Sequence, residues 1–148
     1  MKLKLRLSKK REEKVRAELI EKQIEISEES DLILTEESYQ SGTLICKADS
    51  EMVVLNLDEV CYMEALGRDV IIHTKDRQYK SSQRIYQLEN SLPVEQFVRI
   101  SNAVIIQRNS IKRILPGLSS KFYLTLTNGD SVTVTRTYYY KFKEFYKI

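Results

Sequence analysis

Residues 121–135, KFYLTLTNGDSVTVT, decide how this chain is read. Phe122, Leu124 and Leu126 alternate with Tyr123, Thr125 and Thr127, and Val132 and Val134 answer them beyond Asn128-Gly129. Alternation with period two sends successive side chains to opposite faces of a strand. Asn-Gly between two such runs suits a type I′ turn, which needs positive φ at both central residues. The stretch predicts a β-hairpin with one apolar face.

Working toward the C-terminus, Arg136 ends the second strand and a helix is predicted over 138–146. Tyr138, Phe142 and Phe145 recur at four and three residues, which places them on one helical face. Aromatic residues at this spacing belong to a core; Lys141 and Glu144 point elsewhere. Arg136 then stands where a strand stops and a helix starts. Cations are disfavoured at a helix N-terminus, so its position asks for a reason beyond local stability.

Working toward the N-terminus, strands are predicted over 43–48, 52–56, 60–65, 70–74 and 77–80, with Gly67 supplying the turn in ALGRD. A helix is predicted over 82–91, with Ile85, Leu88 and Leu92 facing inward and Pro93 just past its end. Residues 97–100 and 104–106 form two apolar patches around the polar break ISNAV. Ile111 and Ile114 fit either a strand or a helical turn. The first part of the chain divides into KLKLRL, a half-buried strand with Lys2, Lys4 and Arg6 on its outer face, a helix in SKKREEKVRAELIEKQI, and a short buried strand in DLILTEE. Ser8 is placed to cap the helix, and Val15, Leu19 and Ile24 suit its apolar stripe. A strand–helix–strand of this size is too small for a core of its own. It is expected to dock on the remainder or to pair with a second copy. The boundary falls in ESYQSG at 37–42, giving a segment 1–42 and a β-rich domain 43–148.

The composition excludes several classes. With 148 residues, 42% of them hydrophobic, four glycines and two prolines, the chain can bury a sizeable core and is not of low complexity. No apolar run is long enough for a membrane span, and the basic start lacks the apolar stretch of a secretory signal. Cys46 and Cys61 have no zinc-type spacing and are expected as buried, reduced thiols in a cytoplasmic protein. His73, the one histidine, lies inside an apolar strand pattern and is read as structural. No nucleophile elbow or phosphate-binding glycine loop occurs, so no catalytic residue, cofactor or metal is expected. Charge is polarised. Residues 24–66 hold one Lys/Arg against eleven acids, whereas residues 97–148 hold nine against two. A basic C-terminal part suggests a polyanionic partner.

Arg68, Asn102 and Arg136 stand out as fork-like donors or amides at strand ends and loops. Arginine matches guanine O6/N7 and asparagine matches adenine N6/N7. LNLDEVCYMEALGRDVIIHT, FVRISNAVIIQRNSIKRI and LTNGDSVTVTRTYYYKF, in this order and spacing, resemble the LytTR DNA-binding domain of bacterial response regulators. The resemblance spans about residues 43–148. It implies a mainly β (α+β) fold of stacked small antiparallel sheets with short helices, which reads the DNA major groove through loops. Its base-contacting positions fall on Arg68, Asn102 and Arg136, with Ser101, Thr135 and Thr137 as phosphate partners. It also implies a transcription regulator that binds double-stranded DNA, as a homodimer on paired direct repeats. By analogy with small regulators of this build, a membrane protein is a candidate inhibitory partner. Arg99 is expected to pair with Glu64 across the core edge. Two other readings of the basic part are a protein-interaction module and an RNA-binding protein using Tyr123 and Tyr139 or Tyr140.

Overall fold

The computed structural model describes residues 1–36 and 42–148. Apart from Gly42, the expected boundary at 37–42 lies outside the described residues.

The first sheet comes from the N-terminal segment. Strand β1 (Lys2–Arg6) lies between β2 (Glu25–Ile26) and β3 (Ile33–Thr35), parallel to both, and helix α1 (Lys9–Glu21) makes the crossover. Leu5 and Leu7 are buried, and Val15, Leu19 and Ile24 are half-buried as the periodicity predicts. Ser8 holds the N-cap position without a capping bond from its side chain. Its N–H instead donates to the Glu36 carboxylate, which also pairs with Arg11. An anion there complements the macrodipole of α1, and the bond from Ser8 holds the Glu36 carboxyl below the usual range. One expectation fails. The strand in DLILTEE is not buried: it is a sheet edge, and Leu32 and Ile33 remain 51% and 56% exposed.

The second sheet has seven strands, all antiparallel, in the order β5-β4-β8-β7-β6-β10-β9. They are β4 (Thr43–Ala48), β5 (Glu51–Asn56), β6 (Val60–Leu66), β7 (Asp69–Thr74), β8 (Gln78–Ser81), β9 (Phe97–Arg99) and β10 (Val104–Gln107). Helix α2 (Ile85–Ser91) covers one face, where Leu88 and Leu92 join Leu44, Cys46, Met63, Ile72 and Ile105 in a buried cluster. The third sheet, β11 (Ile111–Gly117), β12 (Lys121–Leu126) and β13 (Ser131–Val134), is an antiparallel meander. Ile111 and Ile114 therefore belong to a strand.

Phe122, Leu124, Leu126 and Val134 of the third sheet pack with Cys61, Tyr62, Val98, Ile100, Val104 and Ile106 of the second. Helix α3 (Tyr139–Tyr146) closes this core with Phe142, which is fully buried. Phe142 meets Phe122 at 5.5 Å between ring centroids, and Tyr139 stacks on Phe122 at 4.8 Å. The aromatic stripe is core, as its spacing predicts. The far end of α3 is held by Arg108. Its guanidinium lies 4.0 Å from the Phe145 ring and donates to the Phe145 carbonyl, while the Tyr146 hydroxyl donates to the Arg108 carbonyl at 2.7 Å.

The predicted hairpin forms, but its turn is not type I′. Gly129 has positive φ (+91°) and Asn128 does not. The Gly129 N–H donates to the Leu126 carbonyl at 3.0 Å, and the Leu126 N–H to the Asp130 carbonyl at 2.9 Å. This is a three-residue connection with glycine in the left-handed position. Local and tertiary bonds combine at this turn. The Asn128 amide bonds both the N–H and the carboxylate of Asp130, and that carboxylate accepts the Tyr62 hydroxyl of the neighbouring sheet at 2.9 Å.

His73 is structural as read. It is buried, stacked on Tyr62 at 4.0 Å, with Nε2 3.4 Å from Glu64 Oε1. Both cysteines are free and buried. Burial pushes the Cys46 thiol up to about 11 and raises that of Cys61. Burial, followed by the Asp130 bond and charge, raises the Tyr62 phenol as well. In an unfolded chain these groups ionise near about 8.5 and about 10. Above those values the unfolded chain loses protons that the folded chain keeps, so stability falls as pH rises. Urea midpoints should therefore be flat from about pH 6 to about pH 8 and decline steadily toward about pH 10.5. A midpoint that rises over that interval contradicts the burial of these groups.

Candidate nucleic-acid interface

Three connections meet at one end of the second and third sheets. Between β6 and β7, Leu66 pairs with Asp69, which leaves Gly67 and Arg68 as a two-residue turn. Gly67 has φ +61° and Arg68 is not in the left-handed region, the pattern of a turn with glycine at its first central position. Arg68 is thereby exposed at the tip. Between β9 and β10, the Ile100 N–H donates to the Val104 carbonyl at 2.9 Å, and the Ser101 hydroxyl accepts the Ala103 N–H at 3.3 Å. This tight reversal presents Asn102 to solvent. After β13, a single 3-10 turn, Arg136–Tyr138, leads into α3, with Arg136 and Thr137 exposed.

Backbone hydrogen bonds tie these connections together. The Ala65 N–H donates to the Ala103 carbonyl at 2.7 Å, and the Thr135 N–H donates to the Ile100 carbonyl at 2.9 Å. The central loop thus sits between the Arg68 turn and the Arg136 junction. Arg68, Asn102 and Arg136, more than thirty residues apart along the chain, share one end of the molecule and are all exposed. Among the described residues, the side chains of Arg68 and Arg136 make no hydrogen bond or ion pair. Ser101 and Thr135 are half-buried, and their hydroxyls serve the local backbone, Thr135 by donating to the Ile100 carbonyl at 3.4 Å.

Arg99 does not pair with Glu64. Arg99 stands opposite Ile105, whereas Glu64 stands opposite Val104. One step of register along β10 puts the two side chains on opposite faces of the sheet. Arg99 lies 3.6 Å from Glu89 of α2 instead, and its Nε donates to the Ser101 carbonyl at 3.1 Å. A second guanidinium nitrogen donates to the Asn102 carbonyl, and the group lies over the Tyr138 ring at 5.9 Å. Tyr138 in turn donates its hydroxyl to Asn102 Oδ1 at 3.2 Å. The RNA reading names Tyr123 and either Tyr139 or Tyr140. Tyr123 and Tyr140 are exposed, but Tyr139 is spent on Phe122.

Residues 50–147 match the LytTr DNA-binding domain. The chain belongs to the LytTR family. The fold agrees: a solved LytTr DNA-binding domain from Bacillus cereus superposes with a TM-score of 0.70 at 23% identity, covering 74% of this chain and all of that one. The sensory transduction proteins LytT of Bacillus cereus and Bacillus subtilis are 25% and 26% identical over 128 and 110 residues. Those stretches are 86% and 73% of this chain but 52% and 46% of theirs, so the chain spans about half the length of these relatives. An uncharacterized HTH-type transcriptional regulator of Staphylococcus aureus is 27% identical over 105 residues, 71% of each chain. No helix among the described residues is long and apolar enough to cross a membrane.

For this LytTR domain, sequence reasoning missed Tyr138 as part of the loop scaffold and gave Arg99 a different partner. The partners of Arg99 lie on three separate elements, so only the assembled fold relates them. Tyr138 carried a signal, being aromatic next to Arg136-Thr137, but periodicity assigned it to the core.

Proposed function

We propose that this chain is a transcription regulator that binds duplex DNA sequence-specifically and reads the major groove through loops rather than a recognition helix. The observation that carries the reading is the backbone linkage of the Arg68, Asn102 and Arg136 loops at one end, with all three side chains exposed. Arginine forks suit guanine O6/N7 and the Asn102 amide suits adenine N6/N7, so the three supply sequence preference. Thr137 and Ser101 supply hydroxyls for phosphate, whereas the Thr135 hydroxyl is engaged with the Ile100 carbonyl, and the basic C-terminal part supplies affinity. The names of the LytT and Staphylococcus aureus relatives agree with such a role. In this reading residues 43–148 form the DNA-binding unit in the cytoplasm, and residues 1–42 dock on it or bring two copies together on paired direct repeats. An inhibitory membrane-protein partner would act on that arrangement.

Footprinting on the region upstream of the chain's own coding sequence tests duplex binding and half-site spacing together. Binding should weaken steeply with salt, by about 10³-fold or more between about 50 and 200 mM if six or more phosphates are neutralised. Affinity indifferent to salt, or single-stranded RNA outcompeting every duplex, overturns the proposal.

A further inference from the structure

We propose that Tyr138 is a specificity-determining positioning residue, acting through Asn102; the inference rests on the reading of Asn102 as a base contact. The Asn102 side chain is an exposed amide on a loop tip. An unconstrained amide can present either its oxygen or its nitrogen, and so can accept from one base edge or donate to another. Here the Tyr138 hydroxyl donates to Oδ1 at 3.2 Å and occupies one of its two lone pairs. With Oδ1 turned toward Tyr138, Nδ2 is left available as the donor. A donor at that point selects an acceptor on the base edge, such as purine N7, and the remaining Oδ1 lone pair favours the adjoining N6 amine of adenine.

The rest of the cluster keeps this geometry in place before any ligand arrives. Arg99 holds the Ser101 and Asn102 carbonyls through its guanidinium and lies over the Tyr138 ring, which links the loop to the helix entry. Glu89 on α2 sits 3.6 Å from the same guanidinium and anchors it from behind. Tyr138 is also tied from its own side, since its N–H donates to the Thr135 carbonyl at 3.0 Å. Tyr138 thus makes a contact that a purely packing aromatic would not need: phenylalanine would fill the same half-buried space.

The test is Tyr138→Phe, which removes one oxygen and keeps the ring. The full-length variant is measured against the footprinted duplex and against duplexes altered at each base pair in turn, beside wild type and Asn102→Ala. The expected result is a loss of about tenfold in discrimination at a single base pair, the one at which Asn102→Ala also loses discrimination, with ratios at other positions kept. In the combined variant the losses should not add, because both changes remove one shared contact. In the free protein, the Asn102 side-chain amide resonance should shift in Tyr138→Phe. A Tyr138→Phe profile identical to wild type, while Asn102→Ala loses its base, overturns the inference and leaves the DNA reading intact. Loss spread evenly over all positions also overturns it, since that marks a merely structural role. If Asn102→Ala itself retains every preference, the assignment of Asn102 fails and the inference falls with it.

Discussion

Phe142→Ala is expected to lower stability by about 3–5 kcal/mol, the range for removing a fully buried aromatic side chain. Phe142 has no exposure and lies where β12, the second sheet and α3 meet, against Phe122 and Tyr146 at 5.5 Å each. The neighbours are tied in place, since Tyr139 is stacked on Phe122 and the far end of α3 is held by Arg108. Set against the 5–15 kcal/mol typical of a whole domain, the loss is large, and Tm should drop by about 10–20 °C. Urea melts of wild type and variant give the free energy directly. A loss below about 1 kcal/mol means that α3 is not part of the cooperative core.

Arg136→Ala is expected to do the reverse: little to the fold and much to binding. Arg136 is exposed, unpaired among the described residues, and next to the entry of α3. Removing a cation from that place should leave stability unchanged or raise it by a few tenths of a kcal/mol. On the proposed function the same change removes a bidentate base contact and costs about 1–3 kcal/mol of discrimination at one base pair, with Asn102→Ala behaving alike at another. Competition binding with single-base variants of the target duplex, run beside urea melts, reads both quantities. If both variants bind the target as wild type does, the site assignment is wrong. On the proposed function, the pairing of outcomes would give a reason for an arginine where the helix dipole disfavours one: stability and binding would pull in opposite directions at this residue.

The remaining sites differ in what substitution can teach. Arg68 lies at the tip of a two-residue turn whose backbone is set by Gly67, so its side chain can be changed without touching the loop. Arg99 cannot be treated in this way. It contacts two carbonyls, a carboxylate and a ring, and its removal would leave the Ser101 and Asn102 carbonyls without their donor.

Local signals in the residues carried most of the strands and the last helix. Alternation in 43–48 and 121–126, the turn glycine at 67 and the aromatic stripe ending in Phe142 and Phe145 act over a few residues, where pleat, helical pitch and backbone sterics are felt directly. They also carried the resemblance that led to Arg68, Asn102 and Arg136. Long-range geometry lay beyond such signals. The partner of Arg99 depends on which face of β9 it occupies, and that follows from a one-residue register against β10 and β6. At the three-residue Asn128-Gly129 turn, Asp130 is held by Tyr62 from another sheet as well as by Asn128. Leu32 and Ile33 look like core in a short apolar run, yet they end on an open sheet edge, because burial depends on what packs opposite. The convergence of the three loops has the same origin: strand order and register are collective properties, settled when the sheets pair and stack, and no stretch of a few residues encodes them alone.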